Sequence, residues 1–193
     1  MPTLELRTER LRLRRWTDAD RDPFAALNAD PDVMEFFPAP LSRTESDAFV
    51  DRIEAHFDEH DFGLWAVESA ATGDFTGYVG LWPATFEAHF TPAVEVGWRL
   101  ARRWWGSGIA TEAARAAMAD GFERLGLDEI VSMTARVNVR SRRVMEKLGM
   151  TSDAADDFEH PRVAVGHVLR PHVLYRRSAE EHGQETWKVS TIN

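Results

Sequence analysis

The chain has 193 residues, with 32 acidic against 23 basic side chains, a formal net charge of −9 and no cysteine. That length is normally one domain with a full core; the missing cysteine excludes disulfides, thiolate metal sites and a cysteine nucleophile, and the acidic balance argues against a footprint on nucleic acid or an anionic membrane. No N-terminal apolar h-region and no apolar run of about eighteen residues occurs, so the expectation is a soluble cytoplasmic protein.

Leu11 and Leu13 alternate with Arg10, Arg12 and Arg14, the period-two pattern of a half-buried strand. Asp22-Pro23 suits an N-cap followed by proline at the first helical position, so the first helix starts at or shortly before this point, and Asp30-Pro31 breaks it. After the apolar segment Val33 to Pro38, Ser42-x-x-Glu45 forms a capping box for a second helix whose Phe49, Ile53 and Phe57 recur on one face. Residues 63–68 and 75–82 read as strands joined across Ala71-Thr72-Gly73-Asp74.

Residues 94–100 form the central strand, with Glu95, Gly97 and Arg99 on one face. A glycine inside a strand marks a bulge or the close approach of another backbone or a ligand. Next comes Arg103-Trp104-Trp105-Gly106-Ser107-Gly108-Ile109-Ala110-Thr111-Glu112-Ala113, two glycines between a strand and an alanine-rich helix over 109–124. Such a turn receives a diphosphate, because glycines let main-chain N–H groups approach phosphate oxygens and the helix start adds unpaired donors; a turn that uses glycine for geometry alone is the alternative.

A strand over 129–137 leads into Asn138-Val139-Arg140-Ser141-Arg142-Arg143-Val144-Met145-Glu146-Lys147-Leu148-Gly149-Met150, where Asn138 suits a helix cap and Gly149 a helix stop. The stretch 153–171 is acidic, then apolar, and reads as an insertion near the active site; 172–177 returns as a strand. With no internal repeat, the chain reads as one α+β domain over residues 1–177 with a mixed, largely antiparallel sheet, followed by a polar C-terminal tail over 178–193.

Together the two glycine-bearing motifs resemble the GNAT acetyltransferase superfamily, in which the first reads Q/R-x-x-G-x-G/A and the second N-x-x-S-x-x-x-x-x-K-L-G-F/M. Thr8-Glu9-Arg10-Leu11-Arg12-Leu13-Arg14 resembles the opening strand of its branch of ribosomal-protein N-terminal acetyltransferases (RimJ/RimL-like), and the likeness covers about residues 4 to 177. The resemblance implies a central sheet splayed at the cofactor site and flanked by helices, with acetyl-CoA as cosubstrate. It implies that Arg103, Gly106, Ser107, Gly108, Ile109 and Ala110 hold the diphosphate, that Val96 and Trp98 pair with the pantetheine arm and polarise the carbonyl, and that Asn138 faces the cofactor. Arg142 and Lys147 are candidates for the adenosine end, a solvated helix face being the alternative for both.

Transfer to an amine needs a base and a proton for the departing thiolate. Glu95, flanked by Val94 and Val96, is the candidate base, directly or through water, because desolvation raises a carboxylate pKa toward neutrality; the alternative is a strand-face carboxylate paired with Arg99 or another cation. Ser141, one helical turn after Asn138, is the candidate acid, since neither tyrosine falls on that helix; a helix-start serine bonding backbone is the alternative. His56-Phe57-Asp58-Glu59-His60 fits a zinc spacing, H-x-x-E-H, yet lies at a helix end without a recognisable third-ligand motif, so no metal is expected.

Phe36, Phe37 and Trp82 fall where the family borders its acceptor cleft, as do Phe86, His89 and Phe90, although each residue type is more often core or plain surface. The expected partner is an amine acceptor, a protein or peptide N-terminus or a small molecule, with no nucleic acid and no membrane, in a monomer or homodimer. The alternative from a different class is a CoA-binding module that has lost turnover.

Overall fold

This computed structural model describes residues 5–184 and 190–192. Its strands are β1 (Glu5–Arg7), β2 (Leu11–Arg14), β3 (Leu64–Ser69), β4 (Phe75–Pro83), β5 (Val94–Leu100), β6 (Glu129–Ala135), β7 (Phe158–Glu159), β8 (Pro171–Ser178) and β9 (Ser190–Ile192). The helices are α1 (Arg21–Ala29), α2 (Arg43–His60), α3 (Ile109–Glu123), α4 (Val139–Lys147) and α5 (Ala179–Gly183). One sheet runs in the order β7-β8-β6-β5-β4-β3-β2-β1-β9. Every neighbouring pair is antiparallel except β5 with β6. This is the α+β architecture expected from the sequence.

Helices cover both faces, which explains why β3 and β4 are buried almost throughout instead of alternating. One face carries Tyr78 and Trp82 of β4, which pair in register with Arg99 and Glu95 of β5. Against it lie α1 and α2: the ring centroids of Phe24 and Phe49 stand 6.0 and 5.9 Å from Tyr78, and His56 stands 4.3 Å from Trp82. The opposite face receives α3. There a Cβ on Gly121 would stand only 2.8 Å from Leu81 Cδ1 and 2.9 Å from Ile130 Cδ1, so the missing side chain sets how closely the helix packs on the sheet.

The capping box of α2 forms as read: Glu45 N–H donates to Ser42 Oγ at 3.3 Å and Ser42 N–H to Glu45 Oε2 at 2.8 Å. The first helix starts shortly before Asp22-Pro23, as read, at Arg21, but with Asp20 and not Asp22 as its N-cap. Its start is set by Asp20, whose buried carboxylate accepts from Thr17 N–H at 2.8 Å and from both terminal nitrogens of Arg14 at 2.7 and 2.9 Å. Those bonds turn the chain through residues 18–20 before Pro23 is reached. Beyond β8, the polar C-terminal segment supplies α5, capped by Ser178 and Glu181, and β9, which pairs antiparallel with β1. Among the described residues no helix is long and apolar enough to cross a membrane.

Two strand glycines at neighbouring register positions behave oppositely. A Cβ on Gly80 would lie 2.1 Å from the Gly63 carbonyl oxygen, whereas one on Gly97 would meet nothing within 4 Å. Gly80→Ala is therefore expected to destabilise the fold by roughly 2 kcal/mol or more, and Gly97→Ala to leave stability within about 0.5 kcal/mol, by urea unfolding. Equal losses at the two positions would mean that the space over Gly97 is filled.

Candidate active site

The parallel pair β5–β6 holds for a single register position, Glu95 with Val131, after which the strands part toward their C-terminal ends. Along the exposed edge of β5, the Val96 carbonyl accepts from Ser132 Oγ at 2.9 Å and the Leu100 carbonyl from the Trp105 indole N–H at 2.8 Å. Trp98 lies between them in the strand alternation, so its N–H and C=O face the opening between the strands. A ligand with amide groups can pair there as a further strand would.

The glycine loop sits at the mouth of this opening. Residues Arg102–Trp104 make one 3-10 turn, Gly106 and Gly108 take φ of 74° and 85°, and Gly108 is the N-cap of α3 without any side-chain cap. A Cβ on Gly106 would meet nothing within 4 Å, so the loop offers its main chain unobstructed, and the N–H groups of Ile109 and Ala110 open the helix. The loop is held from behind: Arg10 Nη1 donates to the Ser107 carbonyl at 3.0 Å while Glu112, in the first turn of α3, accepts from Arg10 N–H at 3.0 Å and from Thr8 Oγ1. Arg103 turns away from the glycines. Its Nη2 reaches the Phe75 carbonyl at 3.4 Å, and Arg102 pairs with Asp32.

Across the opening, Asn138 caps α4, its Oδ1 accepting from Ser141 N–H at 3.1 Å and its Nδ2 donating to Thr134 Oγ1 at 3.0 Å. Both ends of its amide are thereby engaged within the protein. The half-buried Ser141 hydroxyl makes no hydrogen bond among the described residues. Arg142 leans toward β8, reaching the Tyr175 hydroxyl and the Arg136 carbonyl, each at 3.4 Å. Lys147 is exposed at the far end of α4, about 12 Å along the helix from Val139. Arg140 draws the α4 start to the loop, its guanidinium 4.6 Å from the Trp105 ring centroid and paired with Glu35.

Glu95 is on the α1–α2 face, with Trp82 as its register partner. Its carboxylate makes no hydrogen bond or ion pair among the described residues, and burial pushes its pKa up to about 7, with Arg162 opposing the shift. The expected alternative, pairing with Arg99, does not occur: Arg99 donates to Asn28 Oδ1 at 2.6 Å and stacks 4.0 Å from the Phe37 ring centroid. Phe36 lies 5.5 Å from the Arg140 guanidinium. The three aromatic candidates thus line one side, with Trp82 beside Glu95, Phe37 on Arg99 and Phe36 toward α4.

The insertion forms the other side. Phe158 stacks 6.0 Å from Phe86 and 5.1 Å from Phe90, and this cluster covers Val131 and Leu174. His160 stands 4.7 Å from His172 and is kept neutral, its pKa pushed down to about 4 by burial, then by His172, Arg162 and Arg170. Arg162, whose Nη2 donates to Thr85 Oγ1 at 2.9 Å, is the charged group of this loop that acts on Glu95. No periodicity or motif marks it in the sequence. The H-x-x-E-H histidines stack on each other at 4.4 Å, and among the described residues no group of three ligands gathers there.

The raised Glu95 pKa has a stability consequence. Between the unfolded value near 4.5 and about 7, the folded protein holds a proton that the unfolded chain has lost, so stability falls as pH rises through that window. Glu95→Gln should match the wild type near pH 4.5 and exceed it by roughly 1–3 kcal/mol at pH 8, by urea unfolding. Arg162→Gln should widen the wild type's loss, since it removes the opposing charge. A difference that stays flat with pH would mean a solvated carboxylate.

Residues 10–151 match the family model described as the acetyltransferase (GNAT) domain. The chain is 34% identical over 147 residues to the Bacillus subtilis protein YkkB, covering 76% of this chain and 84% of that one. It is 32% identical over 161 residues to the FsC-acetyl coenzyme A-N(2)-transacetylase of Aspergillus fumigatus, covering 78% of this chain and 65% of that one. The crystal structure of a GNAT-family acetyltransferase from Bacillus anthracis superposes with a TM-score of 0.76 at 23% identity, over 92% of this chain and 99% of the other, and so shares the fold. A sheet opened beside one parallel pair, a glycine loop at the opening and the match across most of the chain have one reading: the protein is an enzyme of the GNAT acetyltransferase family.

Proposed function

We propose that the protein transfers an acetyl group from acetyl-CoA directly to an amine while both are bound. The observation that carries this reading is an unpaired, desolvated Glu95 beside an opening whose edge groups at Trp98 are free. The residues fit the cosubstrate. Gly106 leaves its side of the loop open, Gly108 leaves α3 uncapped, and Ser107, Ile109 and Ala110 add main-chain donors for a diphosphate. Val96 and Trp98 lie at the edge where the pantetheine amides pair. Arg103, Arg142 and Lys147 are within the same motifs and contribute positive charge rather than direct ligation, since the first two are turned to protein carbonyls.

Acetyl-CoA supplies an activated thioester. Glu95 takes a proton from the acceptor's ammonium before the neutral amine attacks, directly or through one water, and is poised for this by a pKa near 7. The Trp98 N–H stabilises negative charge on the carbonyl oxygen, and the free Ser141 hydroxyl donates to the departing sulfur. Trp82, Phe36 and Phe37 wall the acceptor side. The likeness of residues 8–14 to the RimJ/RimL-like branch supports a protein or peptide N-terminus; a small-molecule amine is the second candidate, and the name of the transacetylase relative is consistent with transfer to nitrogen.

Thiol release from acetyl-CoA against peptide N-termini, amino acids, polyamines and aminoglycosides tests the reading. The best acceptor should give a kcat/KM that falls as pH drops below about 7, as the Glu95 carboxylate takes a proton. Glu95→Gln should lose that limb and at least about 100-fold in rate. Ser141→Ala should slow turnover by roughly 10-fold or more where chemistry limits the rate. Tight CoA binding with no transfer to any amine would overturn the enzyme reading in favour of a binding module.

A further inference from the structure

Arg99 is a buried cation without a counter-charge. Only 8% of the residue is exposed, yet among the described residues no carboxylate pairs with it. Nη1 donates to Asn28 Oδ1 at 2.6 Å, and Asn28 is itself fixed by donating to Ser46 Oγ at 2.9 Å. Nε is enclosed and has no partner, and Nη2 makes no hydrogen bond either. Nη2 is not enclosed and is the donor open to an incoming carboxylate, with Nε behind it on the same edge of the guanidinium.

Burying a charge without a partner costs several kcal/mol, and acidic side chains are abundant in this chain, 32 against 23 basic ones. The half-buried Arg14 holds Asp20 and Glu68, while Arg177, the other buried arginine among the described residues, donates to the Leu148 carbonyl. Stacking on Phe37 at 4.0 Å and Tyr78 at 5.5 Å offsets part of the cost and orients the plane, but leaves the Nε–Nη2 edge unsatisfied. Phe37 belongs to the connection between α1 and α2, which is pinned over the site by Asp32 to Arg102 and Glu35 to Arg140.

Position supplies the second observation. Arg99, Gly97 and Glu95 follow one another on a single face of β5, and the space over Gly97 is empty to 4 Å. The Cα atoms of Glu95 and Arg99 are about 13 Å apart along the strand, with that space between their side chains. We propose that Arg99 is the specificity-determining residue of the acceptor cleft, taking a carboxylate of an acceptor whose amine lies toward Glu95. The substrate class is then an amine that carries a carboxylate several bonds from the reacting nitrogen. A small ω-amino acid satisfies this with its terminal carboxylate, and a peptide N-terminus with an acidic side chain in its first residues. The inference rests on the acetyl-transfer reading for the amine, while the anion site stands on Arg99 itself.

The test compares matched acceptors: ω-amino acids of increasing length against their primary amides, and the peptide Ala-Glu-Ala-amide against Ala-Gln-Ala-amide. With wild type, kcat/KM for the acid should exceed that for its amide by about 10-fold or more at the best length, mostly through KM. In Arg99→Gln the ratio should fall toward one, with KM for acetyl-CoA and cooperative unfolding unchanged, and Arg99→Lys should restore part of it. Equal rates on acid and amide in both series overturn the proposal even where the variant fails to fold. Calorimetric titration of the N-acetylated acid and amide into the wild type with CoA present separates the two readings. Stronger binding of the acid supports the anion site, and equal or absent binding overturns it. Acid-selective binding with no thiol release from any acceptor would sink the transferase reading and leave the anion site standing.

Discussion

One parallel contact in an otherwise antiparallel sheet governs this molecule. Strands β5 and β6 begin side by side at Glu95 and Val131 and then diverge, because each runs on into its own helix start at the same end of the sheet. A ladder that stops after one position leaves main-chain donors and acceptors without partners, which a protein interior does not tolerate unless something else satisfies them. Ser132 and Trp105 satisfy the groups at either end of the β5 edge and leave those of Trp98 between them. The glycine loop, the α3 start and the capped α4 are then arranged around an opening that the backbone itself creates.

The charges nearby follow the same economy. Most arginines of this chain are spent on carboxylates at the surface or on the sheet flank, in pairs that contribute little to stability individually. On the α1–α2 face of β5 the pattern reverses: a half-buried carboxylate and a buried guanidinium sit on one strand, neither neutralised by the other. Strand geometry keeps them apart, since every second residue on one face advances by nearly 7 Å. A fold built for stability alone would put an apolar residue at either place. In the proposed reading, the acceptor's amine and carboxylate enter between them.

Much of this was legible in the sequence where the signal is local. The box Ser42-x-x-Glu45, the alternation in β2, the two glycines ahead of α3 and the Asn138 cap each depend on a few neighbouring residues, and each forms as read. What depends on distant partners was not. That Asp20 and not Asp22 caps α1 is decided by Arg14 reaching Asp20, which a reading centred on Pro23 does not see. Glu95 and Arg99 could be placed on one face from their spacing, but whether they pair depends on Asn28 and Phe37, from a helix and a loop far upstream. Arg162 comes from an insertion without periodicity, and nothing but the folded chain brings it toward Glu95. Asn138 was legible as a cap, while the second bond of its side chain, to Thr134 on β6, depends on the folded chain.

The outermost strands, β7 with two residues and β9 with three, finish the sheet. Strands so short expose too few main-chain groups to template another chain, a form of protection against edge-to-edge aggregation. Any stable pairing of two copies would therefore proceed through side-chain surfaces on helices and loops, not by extending the sheet. On this molecule those surfaces include the connection between α1 and α2 and the insertion, so that self-association would draw on the segments that flank Glu95 and Arg99.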